Sequence, residues 1–495
     1  MAVKQLLSGN EAIALAAFDA RVAFGAGYPG TPSSEILDEF AKLGGKAQWS
    51  PNEKTALENA IGGAFGQVRT LATMKHVGLN VAADPLFTIA YSGTPGGLVI
   101  ISADDPGMAS SQNEQDNRRY AAAAGVPMFE PSDSQEAYDF LFKAFELSEK
   151  FHQPVLYRLT TRVCHSKSLV ERREQPVEVA PAAYTKELVK GDELGIITSG
   201  ISYHHCREAA PEASILKLTL SYPFPTEKLK AFAGKVKRCV VVEEGDPILY
   251  EACKAMGLEV EGKAEMYRFG ELNVERVRRI LANDLTAEPV PAPGKPPQLC
   301  VGCPHRKSYE ALKALNCIVT GDIGCYTLGV LPPFEAVDTC VCMGASVTTG
   351  LGLRRVLPEA DARRVVSVLG DSTFWHTGIN GIVDMVYNKP ATGHVVMVLD
   401  NSITAMTGLQ EHPGTGRKLD HTPAAKRLVI EETVKAMGVD NVDIIDPLTE
   451  QDKLQKVLAE RLASNDTTVI IARRPCILGA VKAKSYEETN KAAEN

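Results

Sequence analysis

The sequence has few cysteines for its length, 11 among 495 residues. A secreted protein stapled by disulfides needs a much higher density, so that class is excluded and we expect reduced thiols. No apolar run precedes Glu11 at the N-terminus, which argues against a secretory signal. These absences predict a cytoplasmic protein.

Positive charge is also in short supply. Lys and Arg total 53 against 61 Asp and Glu, for a net charge of −8. A nucleic-acid backbone or an anionic membrane surface recruits basic proteins, so we expect neither as a partner. The longest uncharged stretch, 86–103, contains Gly and Pro residues that interrupt a spanning helix. We expect two buried strands around a turn there.

Two proline-rich breaks, at 175–181 and 289–297, divide the chain into three segments. A chain of this length is expected to hold about three domains. The expected boundaries are a first domain over 1–175, a second over 185–284, a linker over 285–297, a third over 298–480 and a polar tail over 481–495.

All three segments alternate apolar runs with helical patterns, which is typical of an α/β protein. A capping box from Ser8 to Glu11 predicts a helix over 12–22. Buried strands are expected at 98–101, 194–197 and 240–242, with a helix over 203–210. In the third segment, strands at 365–369 and 395–399 flank apolar residues with helical spacing, so they predict a βαβ unit and a parallel sheet.

Polar residues follow both of these last strands. Gly370, Asp371 and Ser372 end the first, and Asn401 ends the second. Parallel strands present their carboxyl ends at one edge, where open α/β sheets bind ligands. A carboxylate and an amide oxygen suit Mg²⁺ and leave positions for phosphate oxygens. The alternative is that Asp371 only caps a helix.

Several strings of the third segment resemble those of thiamine diphosphate enzymes, specifically the large subunits of indolepyruvate:ferredoxin oxidoreductases within the 2-oxoacid:ferredoxin oxidoreductase family. They are GDSTFWHTGINGIVDMVYNK, LDNSITAMTG, TGDIGCYTLG and DTCVCMGAS. The first segment matches in GYPGTPSSE, WSPNEKTALENAIGGA, MKHVGLNVAADP and SSQNEQDNR. The resemblance covers nearly the whole chain in order. It departs at Ser372, where the family usually has Gly.

This resemblance implies three parallel-sheet α/β domains, in which a pyrimidine-binding fold and a diphosphate-binding fold flank a domain like the C-terminal one of transketolase. It implies thiamine diphosphate and Mg²⁺ as cofactors, with the metal held by Asp371, Asn401 and the carbonyl of Ile403. The residues implied to bind the cofactor are Tyr28, Thr31, Glu53, Gly324, Cys325, Gly344, Gly370, Asp371, Ser372, Asn401, Ile403 and Thr404.

The resemblance assigns the activating acid to Glu53. Thiamine diphosphate needs a carboxylic acid that hydrogen-bonds its pyrimidine ring, and an apolar pocket makes a Glu a willing proton partner. The family places this residue nine positions before a Gly of a Gly-Ala helix, which here is Gly62. Glu58 is the alternative, and a solvated helix face is the ordinary role of such a residue.

Substrate binding is less clearly indicated. Lys75 and His76 stand where relatives carry a different loop, so they could orient the substrate carboxylate or move a proton. Thr31 matches a substrate-contacting position of related enzymes. The Arg that binds the carboxylate in the pyruvate enzymes is replaced by 102–107. The string from Gly25 to Gly30 fits G-x-G-x-x-G, but its prolines argue against a dinucleotide site.

The cysteines give only weak metal signals. Cys300 and Cys303 have chelating spacing but no partner pair, and Cys340 and Cys342 are spaced wrongly. Cys325 is expected to be a buried wall of the cofactor site. The family usually ends in a module with C-x-x-C runs for [4Fe-4S] clusters, whereas no such run follows position 476. We therefore expect no iron-sulfur cluster in this chain.

The implied reaction is oxidative decarboxylation of an aryl 2-oxoacid, such as indolepyruvate or phenylpyruvate, to an aryl-acetyl-CoA and CO₂. The implied partners are a second copy of the chain, a smaller beta subunit and a separate iron-sulfur or flavin acceptor or ferredoxin. The alternatives are a non-oxidative decarboxylase or carboligase that uses the same cofactor, and a noncatalytic subunit of such a complex.

Overall fold

The computed structural model describes residues 4–173, 184–289 and 297–486. The chain forms two compact units, Met1–Val290 and Pro291–Asn495. The first proline-rich break lies outside the described residues, as does most of the second. In the described ranges, every helix is either too short or too polar to cross a bilayer.

A seven-stranded sheet forms the core of the first unit. Its strands run parallel except for Leu220–Tyr222, which pairs antiparallel with Met128–Phe129. In spatial order they are Leu220–Tyr222, Met128–Phe129, Val155–Thr160, Leu98–Asp104, Thr70–Lys75, Phe24–Gly27 and Ala47–Trp49. Leu98–Asp104 is buried along its whole length, as expected for a central strand covered by helices on both faces.

Helices cover both faces of this sheet. They are Gly9–Asp19, Ser34–Lys42, Glu53–Phe65, His76–Val81, Ala83–Ser92, Arg118–Ala124, Ser134–Phe151 and Thr161–His165. The strands Lys4–Ser8 and Lys167–Glu171 form a separate antiparallel pair. The capping box is confirmed, because Ser8 Oγ accepts from the Glu11 N–H and Glu11 accepts from the Ser8 N–H.

The expectation of two strands within 86–103 is wrong for its first half. That half belongs to the helix Ala83–Ser92, and only Leu98–Asp104 is a strand. Leu86 and Ile89 are buried while Tyr91 is exposed, which is helical spacing. A short apolar run does not by itself distinguish a buried strand from a buried helix.

The second sheet of the first unit has four strands. In order they are Arg238–Val242, Leu194–Ser199, Ser214–Leu218 and Thr185–Leu188, and only the last is antiparallel to its neighbour. Its helices are Ser202–Ala209, Thr226–Ala233, Ile248–Ala255 and Val274–Leu281, with a 3₁₀ turn at Glu265–Tyr267. The strands expected at 194–197 and 240–242 and the helix expected over 203–210 are confirmed within a residue or two.

The second unit is built on a six-stranded parallel sheet. In order the strands are Thr339–Cys340, Ile318–Gly321, Val365–Gly370, His394–Asp400, Thr467–Arg473 and Asn441–Ile445. The predicted βαβ unit is confirmed, since Ile379–Tyr387 connects the parallel strands Val365–Gly370 and His394–Asp400.

The other helices of this unit surround the sheet. They are His305–Ala314, Ala345–Val356, Glu359–Ala362, Asp371–Thr373, Ile430–Ala436 and Gln451–Ala463, with a π turn at Phe374–Gly378 and 3₁₀ turns at Cys325–Val330 and Pro413–Thr415. At the end of the described chain, residues 481–486 are helical, and Ala483 and Tyr486 are buried. These residues of the expected polar tail therefore pack against the domain.

Candidate active site

Asp371 and Asn401 lie at one edge of the six-stranded sheet, as their positions after neighbouring strands predict. The strands run parallel with Gly370 opposite Leu399, so the two side chains leave the sheet side by side, and both are buried. Burial and the nearby charge of Asp371 raise the pKa of Asp400, and His412 Nε2 lies 3.2 Å from Asp371 Oδ2. This edge gathers hard oxygen donors, as a magnesium site needs.

The loop after the second of these strands holds the amide of Asn401 in place. The Ile403 N–H donates to Asn401 Oδ1 over 3.2 Å, and Asn401 Nδ2 lies 3.4 Å from His305 Nε2. Burial lowers the pKa of His305 to about 4, although Asp371 opposes that shift. A neutral His305 ring can accept from the Asn401 amide. The sequence gives no sign of this pairing, because His305 lies far away in the chain.

Ser372 and Thr404 connect the two strand-end loops. The Thr404 hydroxyl donates to Ser372 Oγ over 2.9 Å, and both side chains are buried. The departure from the family's usual Gly thus has a structural partner. Asp371 is the first residue of its short helix, and its Oδ1 accepts from the Ser372 N–H. The helix-capping alternative therefore describes one oxygen of Asp371 and leaves Oδ2 facing His412.

Glycines line the same edge at points where a side chain would not fit. Gly344 has a left-handed φ of +86°, and a Cβ there would collide with the Thr377 hydroxyl. A Cβ on Gly370 would lie 2.7 Å from the ring of Tyr326, which also packs against Gly324. The Tyr326 hydroxyl donates to the Ile323 carbonyl over 2.8 Å. Glycine at these two positions lets the Thr377 hydroxyl and the Tyr326 ring pack directly against the backbone.

Asp322 ties these glycine loops together and was not predicted from the sequence. Its carboxylate accepts from the backbone N–H groups of Ile323, Gly344 and Ser346 at 2.8–3.1 Å. Burial raises its pKa to about 6, and those hydrogen bonds moderate the shift. The signal was present in the GDIGC string, in which Asp322 stands two residues before Gly324.

A π turn, Phe374–Gly378, immediately follows Asp371–Thr373. Such turns are rare and occur mostly at functional sites. Trp375 lies in this turn, and its buried Nε1 has no hydrogen-bond partner. Gly414 of the 3₁₀ turn at 413–415 packs beside Nε1, because a Cβ on Gly414 would lie 3.0 Å from it. The turn thus brings an indole next to the predicted diphosphate site.

The donor set at this edge fits a diphosphate-bound magnesium ion. Within residues 4–173, 184–289 and 297–486, no group of three or more His, Cys, Asp and Glu side chains could hold a metal. A site with one carboxylate, one amide oxygen and one backbone carbonyl does not require such a group, since Mg²⁺ keeps phosphate oxygens and water as its other ligands.

Glu53 is the first residue of the helix Glu53–Phe65, which Asn52 caps by accepting from the Thr55 N–H. Its side chain is buried, and the residue is only 4% exposed. A Cβ on Gly78 would lie 2.6 Å from Glu53 Oε1, so only glycine leaves room for the carboxylate. Glu58 instead pairs with Lys54 on the exposed face. The structure therefore favours Glu53 over Glu58 as a buried acid.

Lys75 is the last residue of the strand Thr70–Lys75, and His76 is the first residue of the next helix. Lys75 Nζ donates to the Ser110 carbonyl over 2.9 Å. Burial lowers the pKa of Lys75, against the attraction of Asp105 and Glu53. The fully buried His76 places Nε2 3.1 Å from both oxygens of Asn113. Both predicted residues thus lie in the neighbourhood of Glu53.

The turn that starts at Tyr28 closes over this region. A Cβ on Gly30 would lie 3.1 Å from Lys75 Cδ, and the Thr31 carbonyl accepts from Ser110 Oγ over 3.4 Å. Tyr28 is buried. The next helix begins only at Ser34, beyond the G-x-G-x-x-G string, so the dinucleotide interpretation is excluded. Glu53, Lys75 and Thr31 therefore belong to one neighbourhood.

Four cysteines of the second unit lie near one another. Cys325 and Cys476 both lie within electrostatic range of Cys300 and Cys303, but in the described residues no three of these thiols are placed to hold a metal. Burial raises the pKa of Cys303 to about 11 and that of Cys325 to about 12, and the neighbouring thiols add to both shifts. Four thiols from three separate segments thus share one region, which local spacing could not reveal.

Together these features define a thiamine diphosphate enzyme, with a pyrimidine-type first domain and a diphosphate-type last domain. Comparison with protein families agrees. The model described as "Thiamine pyrophosphate enzyme, C-terminal TPP binding domain" matches residues 322–472. The model described as "Pyruvate flavodoxin/ferredoxin oxidoreductase, thiamine diP-bdg" matches residues 15–194.

Curated relatives extend the match over almost the whole chain. The chain is 39% identical to the indolepyruvate oxidoreductase subunit IorA of Archaeoglobus fulgidus, over 98% of this chain and 88% of that protein. It is 38% identical to the IorA subunit of Methanothermobacter thermautotrophicus, over 97% and 88%. The chain belongs to this family of thiamine diphosphate-dependent 2-oxoacid oxidoreductases, and it is an enzyme of that class.

Among solved structures, a 2-oxoglutarate:ferredoxin oxidoreductase from Magnetococcus marinus superposes with a TM-score of 0.49 at 15% identity. The superposition covers 57% of this chain and 65% of that one.

Proposed function

We propose that the chain is the catalytic subunit of a complex that oxidatively decarboxylates aryl 2-oxoacids, such as indolepyruvate and phenylpyruvate. The substrate loses CO₂, its oxo carbon gives up two electrons to one-electron acceptors, and the acyl group joins the sulfur of coenzyme A, whose proton is released. The products are an aryl-acetyl-CoA and CO₂. The observation that carries the proposal is that Asp371 and Asn401 lie at one edge of the sheet.

In this proposal the last domain binds and positions the cofactor. Asp371, Asn401 and the Ile403 carbonyl would hold Mg²⁺, and the backbone at Gly344 and Gly370 would receive the diphosphate. When bound, thiamine diphosphate supplies the electron sink for the negative charge left by CO₂. Glycine has no side chain to hold a ligand away, so the backbone at these positions would approach the diphosphate closely.

In the first domain Glu53 would hold a proton against the pyrimidine ring. Its burial against Gly78 excludes water from the carboxylate, and hydrogen bonding from a desolvated acid is strong. Lys75 and His76 would orient the substrate or move a proton, and Thr31 would contact the substrate from the overlying turn. Tyr28, Gly324, Cys325, Ser372 and Thr404 would complete the walls of the cofactor site.

We propose that the chain works as a homodimer within a larger assembly. Glu53 belongs to one compact unit and Asp371 to the other. Each unit exposes large apolar side chains, Phe65 and Tyr91 in the first, Val356 and Tyr387 in the second. Aromatic side chains are enriched at protein interfaces. The similar IorA proteins are named as subunits, which supports a smaller beta subunit as a further partner.

An anaerobic assay with a viologen dye tests the activity. We expect dye reduction that depends on coenzyme A, thiamine diphosphate and Mg²⁺, with indolepyruvate and phenylpyruvate preferred over pyruvate and 2-oxoglutarate. Aldehyde release without any acceptor would identify a non-oxidative decarboxylase instead. If aliphatic 2-oxoacids reduce the dye faster than aryl ones, the proposed substrate class is wrong but the proposed reaction type stands.

Matched variants test the residues. Glu53→Gln and Asp371→Ala should each lower activity at least about 100-fold, because each removes an interaction that the chemistry requires. Glu58→Gln, on the exposed face of the same helix, should retain activity within about twofold. Excess Mg²⁺ and cofactor should partly rescue Asp371→Ala, whose defect is in binding. A complex that keeps full activity with both variants contains this chain as a noncatalytic subunit.

The electron route has a separate test. We propose that electrons leave to an iron-sulfur or flavin protein or a ferredoxin outside this chain. Iron and acid-labile sulfide in the anaerobically purified chain measure this directly. A content near zero supports a separate acceptor, whereas about four iron atoms per chain would place the first electron carrier on this chain.

A further inference from the structure

Arg417 is buried in the second unit without an anion to balance it. The residue is 9% exposed, and its buried Nε has no hydrogen-bond partner. Its guanidinium lies over the ring of Tyr486, 5.3 Å from the centroid. Across the described residues, no Asp or Glu forms an ion pair with it. A buried charge left without a partner is costly, so its retention needs an explanation.

Arg118, Arg158 and Arg354 are also buried, and each donates to protein acceptors, although Arg354 Nε too has no partner. Arg118 pairs with Asp116 and Glu243. Arg158 pairs with Asp104 and Glu130. Arg354 donates to the carbonyls of Thr392 and Val365, which gives its charge a fixed set of acceptors. Arg417 differs from all three because its side chain donates to no acceptor within the described residues.

Glu411, a buried acidic residue of the same loop as Arg417, already has other partners. Glu411 accepts from the Tyr486 hydroxyl over 2.7 Å and pairs with Lys482 over 2.7 Å. His421 Nδ1 lies 2.9 Å from the same carboxylate. All three contacts fall on Glu411 Oε1, and none of them involves Arg417.

The loop that carries Arg417 also touches the predicted metal site. His412 of this loop lies 3.2 Å from Asp371 Oδ2, and its Nδ1 accepts from the Gly414 N–H over 3.1 Å. The Arg417 N–H donates to Thr415 Oγ1 over 3.3 Å. Hydrogen bonds within this loop therefore hold Arg417 a short distance along the chain from His412, which contacts Asp371.

We infer that Arg417 is an anion-binding subsite of the diphosphate-binding unit, which receives an anionic group of a reactant. The planar guanidinium suits a carboxylate or a phosphate equally well through paired hydrogen bonds. The inference rests on the proposed function, which offers two such anions: the carboxylate of the 2-oxoacid and a phosphate of coenzyme A. Arg417 would then serve in place of the carboxylate-binding arginine of the pyruvate enzymes, which residues 102–107 do not provide.

The test compares Arg417→Gln and Arg417→Lys with Lys418→Gln, which removes an exposed charge from the next position. Under anaerobic steady-state conditions we expect Arg417→Gln to raise the KM of one anionic reactant about 10- to 100-fold, with kcat changed less than about threefold. Arg417→Lys keeps the charge and should lose less. Lys418→Gln should match the wild type. Thermal unfolding of each variant reports whether it folds.

A binding measurement without turnover identifies the anion. Intrinsic tryptophan fluorescence of the cofactor-free protein is titrated with phenylpyruvate and, separately, with adenosine 3′,5′-diphosphate. Loss of phenylpyruvate binding in Arg417→Gln supports the carboxylate, and loss of the nucleotide supports the phosphate. Unchanged KM values and unchanged binding in both arms overturn the inference. A wild type that is inactive with every 2-oxoacid would instead refute the proposed function. If Arg417→Gln does not fold, Arg417→Lys decides by the same measurements.

Discussion

Asp322 Oδ1 accepts the backbone N–H of Gly344 over 2.9 Å, and this bond connects the two glycine loops at the edge of the six-stranded sheet. Oδ2 of the same carboxylate accepts from the Ser346 N–H over 3.1 Å. One buried side chain thus holds the backbone at and after the left-handed Gly344, and the Thr377 hydroxyl donates to the carbonyl of the preceding residue, Met343.

The first prediction concerns Asp322→Asn. The amide can still accept from Gly344, but its NH₂ group would face the Ser346 N–H, so one hydrogen bond is lost at about 1–3 kcal/mol. We expect a lower free energy of unfolding and weaker cofactor binding, measured by urea titration and by cofactor-dependent fluorescence. Cofactor binding equal to that of the wild type would show that the turn holds without Asp322.

The pKa of Asp322 adds a pH dependence to the same comparison. Burial raises this pKa to about 6 from an ordinary 3.8, so the folded state binds the proton more tightly than the unfolded state. The contribution to stability is therefore greatest below about pH 4 and falls as the pH rises through 6, by at most roughly 3 kcal/mol. Unfolding at several pH values should show this decline in the wild type, and Asp322→Asn should lack it.

The second prediction separates stability from activity at two helical glycines. Gly62→Ala faces open space and should stabilise the chain by about 0.5–1 kcal/mol with activity unchanged. Gly78→Ala places a methyl group 2.6 Å from Glu53 Oε1, so it should displace the carboxylate and lower activity at least about tenfold. Similar activity in the two variants would mean that the carboxylate of Glu53 is not needed where it lies.

The third prediction uses the bond between Thr404 and Ser372. Ser372→Gly and Thr404→Val should each destabilise by about 1 kcal/mol, because each removes the same hydrogen bond. The double variant should lose little more than either single one, since the interaction is shared. Strictly additive losses in urea unfolding would show that the two hydroxyls act independently.

The fourth prediction tests the ion pairs that join the two sheets of the first unit. Arg118 lies on the first domain and bonds Glu243 of the second. Arg118→Ala leaves Asp116 and Glu243 buried without their partner and should cost about 3–5 kcal/mol. Arg119→Ala removes a half-exposed arginine that pairs with Asp246, and should cost less than about 1 kcal/mol. Equal losses would show that the buried network is not what stabilises this junction.

The sequence pattern predicted those helices and strands that depend on residues close together in the chain. The strand-end rule placed Asp371 beside Asn401 because parallel strands share an edge whatever surrounds them. Glu53 required the family resemblance, since nothing local distinguishes it from Glu58; the structure shows that the difference is the room left by Gly78. The helix Ala83–Ser92 was not predicted, because a buried strand and a buried helix can both appear in the sequence as the same run of apolar residues.

Contacts between distant segments escaped the sequence for a different reason. His305 meets Asn401, and His412 meets Asp371, only once the chain has folded around the sheet. Cys325 and Cys476 join the Cys300 region in the same way. Tyr486 lies in a stretch whose composition suggested a tail, yet it is buried under Arg417. The spacing of residues along the chain carries no information about such long-range contacts.

The strand Leu220–Tyr222 has a consequence for how the first unit assembles. The chain leaves the four-stranded sheet, adds these residues to the edge of the seven-stranded sheet beside Met128–Phe129, and then returns. Severing the chain between the two sheets would strip a border strand from one and expose backbone that invites aggregation. The two sheets of the first unit should consequently unfold in a single calorimetric transition, and neither should fold as an independent domain.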